Sequence, residues 1–107
     1  MAAAALFAPS AAARPAASLT RAPATVRVME FNIEYGGMVV RFASIVEAIE
    51  AADADVVALE EAWGNVRRLA KALDYPYYNV RLQVVSRLPL IDPPGGDGLY
   101  LFVEVAP

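Results

Sequence analysis

Val28-Met29-Glu30-Phe31-Asn32-Ile33 and Asp55-Val56-Val57-Ala58-Leu59-Glu60-Glu61 bracket the part of the sequence that decides the fold. The first lies in a β-rich run, TVRVMEFNI, that stops at Tyr35-Gly36-Gly37, and it reads as a buried strand followed by a glycine turn. Between the two stretches, Phe42, Ile45, Val46 and Ile49 recur at the spacing of one helix face, with Arg41, Glu47 and Glu50 off that face. The spacing predicts an amphipathic helix over about 38–52, closed by Asp53-Ala54-Asp55. Val56-Val57-Ala58-Leu59 is a short continuous apolar run of the kind found in strands covered on both faces. Two strands joined by a helical crossover of more than twenty residues should lie parallel. Asn32 and Glu60-Glu61 then finish on the same edge of the sheet, the edge where open α/β sheets bind ligands.

Downstream, Asn65 is placed to cap a second helix whose apolar side is Val66, Leu69, Ala70 and Leu73. Arg67, Arg68 and Lys71 form its solvated side. Tyr75-Pro76-Tyr77-Tyr78 begins an extended segment through Val80, and Gln83-Val84-Val85-Ser86 is a further strand whose extension Pro89 limits. Asp92 to Gly98 is a Pro/Gly loop, and Leu99 to Val105 reads as a final strand. A strand so rich in aromatic and β-branched residues needs a partner and a cover, so the chain is expected to be the first part of a longer domain.

The composition is uneven. The chain has 107 residues and a net charge of -3, but residues 1–24 hold twelve alanines, Arg14, Arg21 and no acid. The remaining 83 residues carry seven basic and twelve acidic side chains, a net charge of -5. Residues 1–25 are expected to be an Ala/Pro-rich leader outside the core, broken by Pro9, Pro15 and Pro23, and 26–107 the folded part. The leader reads either as a segment without a role or as the apolar part of a secretory signal peptide, with small-residue cleavage choices at Ala11 to Ala13 or Ala17. The second reading makes the protein secreted and the first leaves it cytoplasmic; the leader is too short and proline-broken to span a membrane.

With no Cys and no His, thiolate or imidazole zinc sites, disulfides and His-assisted nucleophiles are excluded within the chain. A divalent cation on oxygen ligands is not. The acidic balance gives no charge signal for a nucleic-acid groove, but it allows a metal-assisted reaction on a phosphate ester, where the cation supplies the positive charge. Asn32, Glu34 and Glu61 are the side chains to weigh for such a site. By alternation in each strand, Val28, Glu30 and Asn32 share one face of the first, and Val57, Leu59 and Glu61 share one face of the second. A carboxylate ending so apolar a run sits either at the solvent edge, simply capping the strand, or on a cation.

Three blocks carry a resemblance: Val28-Met29-Glu30-Phe31-Asn32-Ile33, then Asp55 to Glu61, then Val84-Val85-Ser86-Arg87-Leu88-Pro89-Leu90. In order and separation they resemble the endonuclease/exonuclease/phosphatase superfamily of DNase I-like nucleases, sphingomyelinases and inositol phosphatases. The resemblance covers residues 26 to about 106 and implies the N-terminal half of a two-sheet α/β sandwich (DNase I-like), truncated before its second half. It also implies a divalent-metal-dependent phosphoesterase, hydrolysing a phosphodiester or phosphomonoester substrate with an activated water. Glu61 matches the family's glutamate that holds Mg²⁺ or Mn²⁺, and Asn32 the asparagine beside metal and phosphate. Glu34 matches a position acidic in some members and is a secondary ligand candidate, or else an exposed loop residue. Ser86 and Arg87 fall in a block read first as packing and loop-shaping.

The chain departs from the family at Glu60, usually glutamine, and at Glu30, usually a small hydroxyl residue. The later blocks that carry the family's Asp and His are absent, so the general base is missing and the 107-residue chain is expected to be inactive alone. The alternative is a non-catalytic truncated relative that folds or binds only with a partner. A dinucleotide-binding unit is disfavoured, because Tyr35-Gly36-Gly37 lacks the G-x-G-x-x-G spacing. If the leader is a signal peptide, sequencing the N-terminus of secreted protein should start after Ala13 or Ala17; a cytosolic product still beginning at Met1 excludes it.

Overall fold

The computed structural model describes residues 25–105. Nearly all of the leader, and hence its reading as a signal, lies outside them. Within the described residues, six strands and two α-helices run in the order β1 (Val28–Asn32), α1 (Phe42–Ala52), β2 (Val56–Glu60), α2 (Val66–Leu73), β3 (Tyr77–Asn79), β4 (Val84–Ser86), β5 (Leu90–Ile91) and β6 (Phe102–Val103). Single 3₁₀ turns at Tyr35–Gly37 and Trp63–Asn65 precede the two helices. The fold is of the general α/β kind: one four-stranded sheet in the order β1-β2-β4-β3, and a two-stranded sheet of β5 and β6.

The expected parallel pair is present, with Val28 opposite Val56 and Asn32 opposite Glu60. β4 returns antiparallel to β2, and β3 pairs antiparallel with β4. Alternation sends Met29 and Phe31 of the first strand, and Ile33 just beyond it, toward the helices, where they meet Val57, Leu59 and Val85. Ile45 and Ile49 of α1, and Val66, Leu69, Ala70 and Leu73 of α2, close this core. The two helices are also tied on their outer side, where the Arg68 guanidinium lies 3.7 Å from the centroid of the Phe42 ring.

Helix α1 starts at Phe42 rather than near residue 38. Its buried stripe begins at Phe42, and Met38, Val39 and Val40 are exposed, so no packing holds them in a helical turn. Both helices end on an aspartate in the left-handed conformation, Asp53 and Asp74, whose N–H groups turn back to the last carbonyls. The second strand is not sealed on both faces: Ala58 and Glu60 are exposed. On that side the β5–β6 hairpin with its connecting loop, and the segment leading into β4, leave a cleft of about 280 Å³ lined by Val56, Ala58, Leu82, Val84, Leu99 and Leu101. The last strand is shorter than its composition suggests, because its partner after Pro89 offers only Leu90 and Ile91 for pairing.

At the N-terminal end of β2, Asp55 ties three segments together. It accepts the Arg27 N–H at 2.8 Å and pairs with the Arg87 guanidinium at 3.2 Å, while its backbone carbonyl accepts the Arg87 N–H. Arg87 also reaches Asp53 at 2.9 Å. These donors, the Arg27 N–H first, hold the Asp55 carboxyl below its usual range. Its folded value being depressed, its contribution to stability is present at neutral pH and is lost as pH falls through that value.

Leu69 is fully buried, so Leu69→Ala should cost about 2–5 kcal/mol in urea unfolding. Met38→Ala, at an exposed position, should shift stability by no more than about 0.5 kcal/mol.

Candidate functional site

The ladder between β1 and β2 runs one residue past the strands, with the Ile33 N–H donating to the Glu60 carbonyl at 3.1 Å. There Glu61 enters the left-handed region, φ 57, and its carboxylate meets the loop after β1. Oε1 accepts the Tyr35 N–H and Oε2 accepts an Asn32 side-chain N–H, both at 3.1 Å. The Glu61 carbonyl takes the Gly36 N–H at 2.7 Å, and Asn32 Oδ1 takes the Glu34 N–H at 2.9 Å. Two residues 29 apart in sequence are thus in side-chain contact at the shared strand edge. The Tyr35 N–H, and after it the Asn32 amide, favour the charged form and lower the Glu61 pKa against a smaller opposing effect of burial.

Among the described residues, seven non-glycine positions have positive φ. Asp53 and Asp74 are the helix caps; the other five, Glu34, Tyr35, Glu61, Trp63 and Gln83, sit in or against these two loops. Left-handed backbone at such residues costs on the order of 1–3 kcal/mol each and persists only where surrounding bonds fix it. Here Gln83 does much of that fixing: its Oε1 accepts the Ala62 N–H at 2.7 Å and the Trp63 N–H at 3.2 Å, and its carbonyl accepts the Leu59 N–H. The Tyr35 and Trp63 rings meet edge to face with centroids 5.8 Å apart. Gly37, at φ 82, adopts backbone that other residues rarely take, and a Cβ there would also come within 2.9 Å of Ile45 Cδ1, which would have to shift.

Asn65 stands at the N-cap position of α2, yet its side chain makes no cap bond. It donates instead to the Gly36 carbonyl at 2.5 Å and staples the second loop to the first. Of the sequence candidates, Asn32 and Glu61 come together, and Glu34 joins them through its backbone N–H. Glu30 and Glu60 are exposed on the outward face of the sheet, with Glu60 opposite Asn32 in register. Among the described residues no three Asp or Glu side chains gather as a metal-binding group. Ser86 and Arg87 lie at the other end of the sheet: the buried Ser86 hydroxyl accepts the Leu88 N–H and donates to the Leu88 carbonyl, shaping the turn into β5.

Glu61 is the residue here that could hold a hard cation. A carboxylate offers about four lone-pair directions, and Glu61 uses two of them on N–H groups. Mg²⁺ commonly takes one or two carboxylates and keeps several waters. Sequence reasoning passed over the Tyr35 N–H, the Gln83 side chain and Trp63 and gave Asn65 a capping role instead of its bond to Gly36; only the glycine pair at 36–37 signalled that a backbone turn was needed there. No protein-family model, curated protein or solved structure matches this chain.

The Tyr35 amide reports directly on the Glu61 carboxylate. In an NMR pH titration its shift should move with a midpoint below 4.5, the ordinary glutamate value, and Glu61→Gln should abolish the transition. Whatever stability this bonded carboxylate contributes is held at neutral pH and lost as pH falls through the lowered value.

Proposed function

We propose that this chain carries the metal-binding half of a divalent-metal-dependent phosphoesterase of the endonuclease/exonuclease/phosphatase kind. The observation that carries the reading is the Asn32–Glu61 contact at the common end of two parallel strands. It joins two of the three sequence blocks that support the resemblance. Glu61 would hold Mg²⁺ or Mn²⁺, with Asn32 beside it, and Glu34 is a secondary candidate. The cation supplies Lewis-acid stabilisation of charge developing on a phosphoryl oxygen.

The chain's own residues prepare that site. The Tyr35 and Asn32 N–H groups keep the Glu61 carboxylate ionised and fix its direction. The Asn32 amide orients itself by receiving the Glu34 N–H on its oxygen. Gln83 and Asn65 hold the loop that carries Glu61 to the loop that follows β1. A site supported in this way does not have to reorganise when a charged substrate arrives, which is where electrostatic catalysis gains most. The family's histidine has no counterpart in this sequence, so in this reading a further group has to activate the attacking water.

Mn²⁺ binding followed by electron paramagnetic resonance tests the reading on the chain itself. Glu61→Gln should weaken binding at least tenfold, whereas Glu47→Gln on the exposed side of α1 should not change it. In a protein that combines this chain with a general base, the same pair should differ in Mg²⁺-dependent hydrolysis of bis-p-nitrophenyl phosphate. Equal behaviour of the two variants would end the metal-ligand assignment.

A further inference from the structure

We propose that Asp97-Gly98 is a site of spontaneous modification, where the main chain passes through a succinimide to isoaspartate and releases the loop that Arg81 clasps beside the apolar cleft. The chemistry needs an aspartate or asparagine whose side-chain carbonyl carbon can be reached by the next peptide nitrogen. A bulky or β-branched side chain on that next residue blocks the approach. Asn32, Asn65 and Asn79 precede Ile33, Val66 and Val80, so all three are blocked. Asp55 and Asp74 precede Val56 and Tyr75, and Asp92 precedes Pro93, whose nitrogen carries no hydrogen. Asp53 precedes Ala54 but is held by Arg27 and Arg87 in its helix cap. Only Asp97 precedes a glycine.

The structure leaves both reacting groups available. Asp97 is exposed and Gly98 half-buried in the loop between β5 and β6, outside any helix or strand. Among the described residues the Gly98 N–H meets no hydrogen-bond acceptor. Asp97 Oδ1 accepts the Leu99 N–H at 3.0 Å, which closes a ring containing the Gly98 nitrogen and folds the carboxyl back toward the peptide it reacts with.

Water is the only co-reactant. The Gly98 nitrogen attacks Cγ of the protonated Asp97 carboxyl; an N–Cγ bond forms, a Cγ–O bond breaks, and the hydroxyl leaves with the amide proton as water. Water then re-enters at one of the two imide carbonyls. Breaking the new N–Cγ bond restores aspartate. Breaking the original bond between the Asp97 carbonyl carbon and the Gly98 nitrogen gives isoaspartate, with no net change in mass. The main chain then runs through Cγ, one methylene longer, and the former carbonyl becomes a free carboxylate.

That methylene falls at a clasp. The Arg81 guanidinium donates to the Gly98 carbonyl and pairs with Asp92 at 3.5 Å, joining the two ends of the loop. Leu99 and Leu101, which follow directly, wall the cleft. Lengthening the chain before Gly98 draws its carbonyl off the guanidinium and removes the oxygen that holds the Leu99 N–H, so the wall is freed on that side. None of this depends on a metal or on the phosphoesterase reading.

The test keeps the full chain warm in mildly acidic buffer, which supplies the protonated carboxyl. Portions taken over days are treated with an isoaspartate-specific protein methyltransferase and labelled S-adenosylmethionine. Methyl incorporation should rise with time and map to Asp97 within the tryptic fragment 88–107. Asp97→Glu, whose imide ring is one atom larger and closes slowly, should lower it at least tenfold. In the separated isoaspartyl chain, amide hydrogen exchange at Leu99 and in β6 should be severalfold faster than in unconverted protein and unchanged in β2. Arg81→Gln, which opens the clasp and leaves Asp97 intact, should speed β6 exchange in the same way before any incubation. No methyl-accepting site, a site mapped elsewhere, or undiminished incorporation in Asp97→Glu overturns the modification. Equal exchange at Leu99 and in β6 in the two forms overturns the release of the loop.

Discussion

The parallel pairing of Val28–Asn32 with Val56–Glu60 is the constraint on which the rest of the molecule depends. Side chains alternate along each strand, so one register places Met29, Phe31, Val57 and Leu59 together against the helices. The same register sets Asn32 opposite Glu60 and leaves Glu61 as the first residue beyond the pair. A slip of one residue would expose the apolar set and at the same time separate the Asn32 amide from the Glu61 carboxylate. Packing energy and site geometry are therefore held by one choice.

The two ends of this strand pair are closed by different chemistry. At the start of β2, Asp55 gathers Arg27 and Arg87 into an exposed network that ties β1 and β4 to it. Isolated surface ion pairs are worth roughly 0–1 kcal/mol, but here two backbone hydrogen bonds accompany the ion pairs and fix where the strands begin. At the other end no counter-charge is supplied among the described residues. The Glu61 carboxylate is satisfied by two N–H groups, one of them backbone, which stabilise its charge without neutralising it. The carboxylate is thus left with its charge at one end of the sheet, while at the other Arg87 pairs with Asp53 and Asp55 and Ser86 shapes the turn into β5.

Strain follows the same division. Left-handed backbone at Glu34, Tyr35, Glu61, Trp63 and Gln83 is concentrated in the segments around the carboxylate. The order that makes this tolerable comes from side-chain bonds across the chain, from Gln83 to the Ala62 and Trp63 amides and from Asn65 to the Gly36 carbonyl. Where such bonds are lacking, at Met38 to Val40, the chain neither joins the helix nor enters the core, and its apolar side chains stay in water.

The sequence by itself determined the parallel strand pair, the two amphipathic helices and the common edge at which Asn32 and Glu61 finish, because these follow from periodicities of two and 3.6 and from the length of a crossover. It also singled out glycine at the turn after β1. Only the tertiary structure decided that Asn65 abandons its cap for the Gly36 carbonyl, that Gln83 supports the Glu61 loop, and that Arg87 belongs to the far end of the sheet. It likewise decided that α1 begins at Phe42 and that Ala58 and Glu60 remain uncovered. A periodic pattern records which side of an element is apolar. It carries no record of which polar side chain, twenty or thirty residues away, reaches a given amide, because that depends on how separate loops meet once the strands are in register.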